Sequence, residues 1–201
     1  MTERYDHERT HEAVQETLAP EMRTVETVKG VIETAARLWP GREYMTDAST
    51  GESATFRAVN ERANEIAHAL ADVGVESGDR VGLYLENSPE YVAGIYACAK
   101  LGAVETPINW QYRAREVRHT VDTAGVSTVL VQPDAAYLEI LESVVGDFPD
   151  CERVVVLDEM ADAEASDDVP GAETHHLSDL VAEASGEGDP DERPGPDDPA
   201  S

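Results

Sequence analysis

Five residues near the start of the chain, His7 to His11, read HERTH and match the zinc-peptidase pattern H-E-x-x-H. On a helix this spacing places two imidazoles on one face as zinc ligands, with Glu8 as the general base. Such a site also needs a third ligand and a rigid helix to hold it. The segment is polar and no later group of residues supplies that ligand, so we interpret the match as a chance one on an exposed arm.

The chain has four other histidines that could act as ligands. His175 and His176 are adjacent, beside an acidic stretch. We expect them to be paired, exposed histidines at a strand edge instead of a metal site. His68 and His119 fall on helical patterns next to polar residues, and we expect both to face solvent.

Nucleotide-binding and nucleophile motifs are missing from the sequence. Gly74, Gly78 and Gly82 form a series, but it precedes a strand, whereas a dinucleotide fingerprint places its glycines between strand and helix. The corresponding turn reads ENSPE and has no glycine. Neither GxxxxGK[ST] nor GxSxG occurs. The motifs therefore assign no catalytic, cofactor-binding or metal-binding residue.

The chain is strongly acidic, with 42 Asp and Glu against 15 Lys and Arg and a formal net charge of −27. This charge repels nucleic acid and anionic membranes, which excludes both as partners. The acidity runs along the whole chain, whereas an interaction tail would concentrate it at one end. We interpret it as adaptation to a salt-rich cytoplasm, where salt screens the repulsion.

Two cysteines, Cys98 and Cys151, are too few for a disulfide framework and are expected to be buried free thiols. The first thirty residues lack an apolar leader, and no segment reaches the roughly eighteen apolar residues of a membrane span. We therefore expect a soluble, cytoplasmic protein.

Hydrophobic periodicity predicts an α/β fold. A helix from Val25 to Trp39 and a short hairpin, EYMTD with ATF, come first; a helix from Phe56 to Gly74 follows. Short apolar strands then alternate with helices of about a dozen residues, which indicates right-handed crossovers. The prediction is a parallel sheet of about four strands with helices on both faces. The predicted strands are RVGLYL, AVETPI, STVLVQ and RVVVLD.

Composition divides the chain into three predicted regions. Residues 1–23 form a polar N-terminal arm, and residues 24–158 form the α/β subdomain. Residues 159–201 are acidic and rich in Pro and Gly, which predicts a loop or linker with a short strand and helix at 174–184.

Residues 24 to 158 resemble the N-terminal region of the AMP-forming acyl-CoA synthetases, in the adenylate-forming superfamily. The family's G-hydrophobic-x-x-G-D-R-V entry corresponds to Gly74 with Gly78 to Val81. Its N-S-x-E helix start corresponds to Asn87 to Tyr91, and its G-A-hydrophobic-x-x-P-hydrophobic-N stretch lies within Lys100 to Asn109. These pieces are specific as a set, and they are mainly scaffold: Gly78 turns the chain into a strand.

The resemblance implies an enzyme that adenylates a carboxylic acid with ATP and Mg²⁺ and passes the acyl group to CoA. In this family a DDPA stretch precedes the phosphate-binding loop, and here Asp197 to Ser201 end the sequence. We therefore expect an N-terminal fragment, inactive alone, that requires its missing C-terminal part or a complementary chain. Arg113 and Arg115 are candidates for contacts with CoA or acyl phosphate groups, although exposed arginines at a helix start are the simpler interpretation.

The alternatives are half of a split ligase, a non-catalytic binding module, and the zinc hydrolase that HERTH would require. No catalytic residue of the family carries over to this sequence. The acid and its chain length are not determined by these residues.

Overall fold

The computed structural model describes residues 19–48, 50–147, 151–157 and 169–186. A 3-10 turn, Pro20–Thr24, precedes six α-helices and seven strands in this part of the chain. In chain order the elements are α1 (Val28–Leu38), β1 (Glu43–Thr46), β2 (Ser53–Thr55), α2 (Phe56–Asp72), β3 (Arg80–Tyr84), α3 (Pro89–Leu101), β4 (Val104–Pro107), α4 (Ala114–Ala124), β5 (Thr128–Val131), α5 (Ala135–Val145), β6 (Arg153–Val156), β7 (Glu173–His176) and α6 (Leu177–Gly186).

Five parallel strands form the main sheet in the order β4-β3-β5-β6-β7, and β1 with β2 form a separate antiparallel hairpin. The predicted α/β fold is therefore confirmed, with one strand more than the four named from sequence. The fifth strand is β7, which pairs with β6 from Arg153↔Glu173 to Val156↔His176. A short strand was predicted within residues 174–184, but its place in the sheet was not, because ETHH has no apolar run.

Strand side chains alternate between the two faces of the sheet, and each face has its own core. Val81 and Leu83 of β3 point into one core, where they meet α2 and α3. Tyr84 points to the opposite face and packs with residues of α4 and α5. The predicted covering of both faces by helices is confirmed.

Local sequence signals set the helix ends. Ser88 caps α3 by accepting a hydrogen bond from the Tyr91 N–H at 3.2 Å, with Pro89 in the first turn. Gly102 ends the same helix with a φ of 71°, a left-handed conformation that favours glycine. Asp134 caps α5 through the Ala136 N–H at 2.8 Å.

β4 is an edge strand whose free side is limited by a proline. The N–H groups of Val104 and Ile108 donate to β3 residues or to the turn before them. Because successive backbone N–H groups of a strand point to opposite sides, the backbone nitrogens of Glu105 and Pro107 face the free edge. Proline has no N–H, but the missing donor would have faced the free edge, so β4 loses no hydrogen bond to β3.

One buried cation joins two helices. The Lys100 ammonium on α3 lies 2.7 Å from the Glu33 carboxylate on α1. Lys100 is 5% exposed. Because a buried ammonium needs a partner, this ion pair fixes α1 against α3.

Both cysteines are buried free thiols, as predicted. Burial raises the pKa of Cys98 to about 12, with a smaller contribution from Glu105, and raises that of Cys151 to about 11. No helix in the described residues combines the length and apolar character needed to cross a bilayer.

Candidate binding cleft at the carboxyl edge of the sheet

The strand order creates a topological switch point at β3. The chain leaves β3 to form β4 on one side and then crosses to form β5 on the other side. In open α/β sheets the crevice at such a point, outside the carboxyl ends of the strands, is where ligands bind. The loops that follow β3, β4 and β5 all reach this edge.

A cleft of about 370 Å³ lies at this edge, which we call the switch-point cleft. Its lining combines two carboxylates, one arginine, one amide, two phenols and an indole with two apolar side chains. The lining residues are Tyr84, Glu86, Trp110, Gln111, Arg113, Asp134, Ala136, Tyr137 and Ile140. Small-molecule sites commonly bring a few polar groups together beside aromatic rings, as this cleft does.

Two tyrosines meet at the base of the cleft. The rings of Tyr84 and Tyr137 are in edge contact, with centroids 4.9 Å apart. The Tyr137 hydroxyl donates to a Glu86 carboxylate oxygen at 3.0 Å. Burial, followed by this hydrogen bond, raises the pKa of Tyr137, so it stays a donor. Burial also raises the pKa of Tyr84, while the charge of Arg113 opposes the shift.

A side chain after β5 fixes the loop after β3. The Glu86 N–H donates to the Gln132 side-chain oxygen at 2.7 Å. Glu86 is thus held by Gln132 through its backbone and by Tyr137 through its carboxylate. Two loops that are distant in sequence therefore form one wall of the cleft.

The loop after β4 forms the opposite wall. Trp110 is 39% exposed and Tyr112 is 37% exposed, which is unusual for aromatic residues. Trp110 also borders a second cleft of about 390 Å³, between this loop and the start of α3. The indole therefore separates two depressions at the same edge.

The two arginines singled out from sequence are exposed at the start of α4. Arg113 lines the switch-point cleft. Arg115 lines a separate depression of about 530 Å³ on the outer side of α4, with His119 and Thr120. The structure therefore divides the pair between two surfaces.

The glycine series lies away from this edge, as its sequence position predicts. Gly74 and Gly78 have φ values of 86° and 93° in the turns before β3. Gly82 lies within β3. Among the described residues, no group of three His, Cys, Asp or Glu side chains is placed to hold a metal ion.

The expectation of exposed histidines at 175 and 176 is wrong. Both are half-buried, because β7 pairs with β6 and leads directly into α6. His175 Nε2 lies 3.4 Å from a Glu173 carboxylate oxygen. Consecutive residues of a strand point to opposite faces, so the two imidazoles are not arranged to share one ion.

His119 is exposed, as predicted, whereas His68 is half-buried. His68 has an interaction partner, and it lies on α2, the helix that packs against α1, α3 and α6. The HERTH segment and residues 197–201 lie outside the described residues.

Sequence reasoning missed Glu86, Trp110, Gln132 and Tyr137 as site residues. Glu86 and Gln132 follow the ends of β3 and β5, which is a detectable signal once these strands are known to be neighbours. Tyr137 reads only as part of an apolar helix. No motif marks Trp110.

Comparison with known proteins identifies the family of this chain. A model of the AMP-binding enzymes matches residues 32–201. The 3-oxocholest-4-en-26-oate–CoA ligase of Rhodococcus rhodochrous is 30% identical over 139 residues, which cover 69% of this chain and 24% of the relative. A medium/long-chain-fatty-acid–CoA/3-oxocholest-4-en-26-oate–CoA ligase of Mycobacterium marinum is 31% identical over 111 residues, covering 55% and 20%.

The fold is similar to that of a solved acyl-CoA ligase. The anthranilate CoA ligase AuaEII, in complex with anthranoyl-AMP, aligns with a TM-score of 0.66 and 22% identity. The alignment covers 82% of this chain and 30% of that structure. The chain thus spans about a quarter of the length of the curated relatives named above. With most of its length matched by the family model, this chain belongs to the AMP-binding enzyme family.

Proposed function

We propose that this chain is the N-terminal α/β part of an ATP-dependent acid–CoA ligase. The complete enzyme would join a carboxylate to the α-phosphate of ATP and release pyrophosphate. The CoA thiol would then displace AMP from the acyl adenylate and leave a thioester. The family match over residues 32–201 carries this proposal.

The acid is proposed only as a class. The relatives are named for a steroid acid and for medium- and long-chain fatty acids, and the similar structure is named for anthranilate. A fatty or other carboxylic acid is therefore the proposed substrate.

Magnesium and the ATP phosphates fit poorly in the part of the chain that the structure describes. No three acidic, histidine or cysteine side chains converge there. The turn after β3 has no glycine to let backbone amides approach a phosphate. We propose that other residues of the complete enzyme hold ATP and Mg²⁺, and that the 201-residue chain is inactive alone.

CoA or acyl phosphate groups would meet Arg113 at this edge of the sheet and Arg115 on the outer side of α4. The two side chains are exposed and carry positive charge on an otherwise acidic protein. Their separation onto two surfaces supports different contacts for each.

ATP–pyrophosphate exchange tests the proposal, measured with a panel of acids of graded length. The 201-residue chain alone is expected to give no exchange, and exchange is expected when it is joined to or mixed with the rest of the ligase. Exchange by the chain alone would refute its inactivity. No exchange by the complete protein with any acid would refute the ligase, leaving a binding module.

We further propose a cytoplasmic protein from a salt-adapted source. The net charge of −27 supports this, because such a charge strains a compact state unless salt screens it. The intact mass of the native protein would show whether it is made as the short chain.

A further inference from the structure

We propose that Tyr84 is a positioning residue for the switch-point cleft. Its hydroxyl holds the loop of residues 109–113 so that Trp110 and Arg113 stand at the mouth of the cleft. The inference deepens the proposed function and rests on it, because it assumes that this edge receives a substrate of the ligase.

Burial does little to hold this loop in place. Residues 109–113 are all exposed. Inside the loop, Asn109 accepts from the Tyr112 N–H through its backbone oxygen and from the Gln111 N–H through its side chain, each at 2.9 Å. These two bonds shape a turn. They do not connect that turn to the sheet.

Tyr84 supplies a connection from the sheet. Its hydroxyl donates to the Tyr112 carbonyl oxygen at 3.0 Å, across 28 residues of sequence. The ring is fully buried on β3, the strand that separates β4 from β5. A rigid, buried donor therefore fixes an exposed loop at one point.

The Tyr84 ring, at the bottom of the cleft, also supports the wall that contains Glu86. The ring of Tyr84 contacts that of Tyr137, whose hydroxyl holds Glu86. Arg113 directly follows Tyr112 and occupies the N-cap position of α4, so a displaced Tyr112 carbonyl would move the guanidinium. The width of the cleft between Glu86 and Arg113 is thus set by two phenols in contact.

Amide hydrogen exchange, followed by NMR in the 201-residue chain, tests this role. Tyr84→Phe removes the donor and keeps the ring. The loss of one ordinary hydrogen bond should speed exchange of the Gln111 and Tyr112 amides about two- to tenfold. Amides of β5, in the core, exchange through global unfolding of the chain. Their exchange should therefore change only as much as the global stability does.

Tyr96→Phe is the matched control. Tyr96 is another buried tyrosine, and its hydroxyl forms a 2.9 Å hydrogen bond with Tyr44 on the other face of the sheet. This variant should leave the exchange of the loop amides unchanged. Equal loop exchange in the two variants would overturn the proposal.

A second measurement on the unaltered chain keeps the proposal testable if Tyr84→Phe does not fold. The Tyr84 hydroxyl proton should exchange slowly enough to be seen by NMR and should show a contact with residue 112. Its absence from the spectrum would also overturn the proposal. Neither measurement needs a substrate, so a failed pyrophosphate exchange assay leaves both results standing.

Discussion

Gly82, in the middle of β3, has no positive φ, yet one added methyl group there should destabilise the fold. A Cβ built there would lie 2.9 Å from Ile108 Cδ1 and 3.1 Å from Val126 Cγ1. Real Cβ atoms essentially never make the shorter contact, so a side chain must move. Ile108 is buried and directly precedes the loop over the cleft.

The expected cost of Gly82→Ala follows from two opposing terms. Overpacking a dense core costs about 1–3 kcal/mol. Replacing glycine also restricts the unfolded chain, which returns about 0.4–1 kcal/mol. The net loss in unfolding free energy should be about 1–2 kcal/mol, or roughly 2–8 °C in melting temperature for a chain of this length.

Urea unfolding and thermal melting would measure this loss, with two other glycines as controls. Gly41→Ala meets nothing within 4 Å, so its stability should stay within about 0.5 kcal/mol of the parent. At Gly94, in α3, the nearest atoms are 3.4 Å away. There the higher helix propensity of alanine, about 1 kcal/mol, should offset the closer packing.

A second substitution tests the assigned contact. Ile108→Val removes Cδ1 and alone should cost about 0.5–1.5 kcal/mol. In the double variant Gly82→Ala with Ile108→Val, the loss should be smaller than the sum of the two single losses. The reasoning is refuted if Gly82→Ala is as stable as Gly41→Ala, or if the two losses add.

The remaining predictions concern charge and thiol chemistry. With pKa values of about 12 and about 11, Cys98 and Cys151 should resist iodoacetamide at pH 8 and react only in urea. Folding raises both thiol pKa values above the unfolded value of 9.0, so ionisation of the thiols favours the unfolded state once the pH exceeds that value. The free energy of unfolding, and with it the urea midpoint, should be unaffected by the thiols below pH 9.0 and should fall above it. Glu33→Gln should cost about 1 kcal/mol by leaving the buried Lys100 without its anion, against a few tenths for Glu65→Gln in the i,i+3 pair with Arg62, which has a further interaction; equal losses would contradict this. The melting temperature should rise between about 0.1 M and about 2 M KCl as the negative charge is screened, and a flat profile would argue against salt adaptation.

Local signals account for how well the fold was predicted. The helix ends lie at residue types that signal such ends in a sequence: Ser88 with Pro89, Asp134, Gly102 and Gly125. Each of these residues acts on its own neighbours, so a single sequence contains the information. A short strand was predicted at 174–184, but its place in the sheet depends on its pairing with β6, which its polar side chains do not indicate.

The site depended on contacts that no local pattern contains. Glu86 and Tyr137 are 51 residues apart, and Tyr84 and Tyr112 are 28 apart. These pairs meet because β4 and β5 lie on opposite sides of β3, an order that periodicity does not specify. The half-burial of His175 and His176 also follows from a strand pairing, that of β7 with β6.

Pro107 has a consequence for the behaviour of the protein in concentrated solution. Like charges keep molecules apart only over the Debye length, which is about 3 Å at 1 M salt. A net charge of −27 therefore gives little protection against self-association in concentrated salt solution. The missing N–H of Pro107 does not depend on ionic strength. The β4 edge therefore remains a poor template for a neighbouring molecule's strand when salt has screened the electrostatic repulsion.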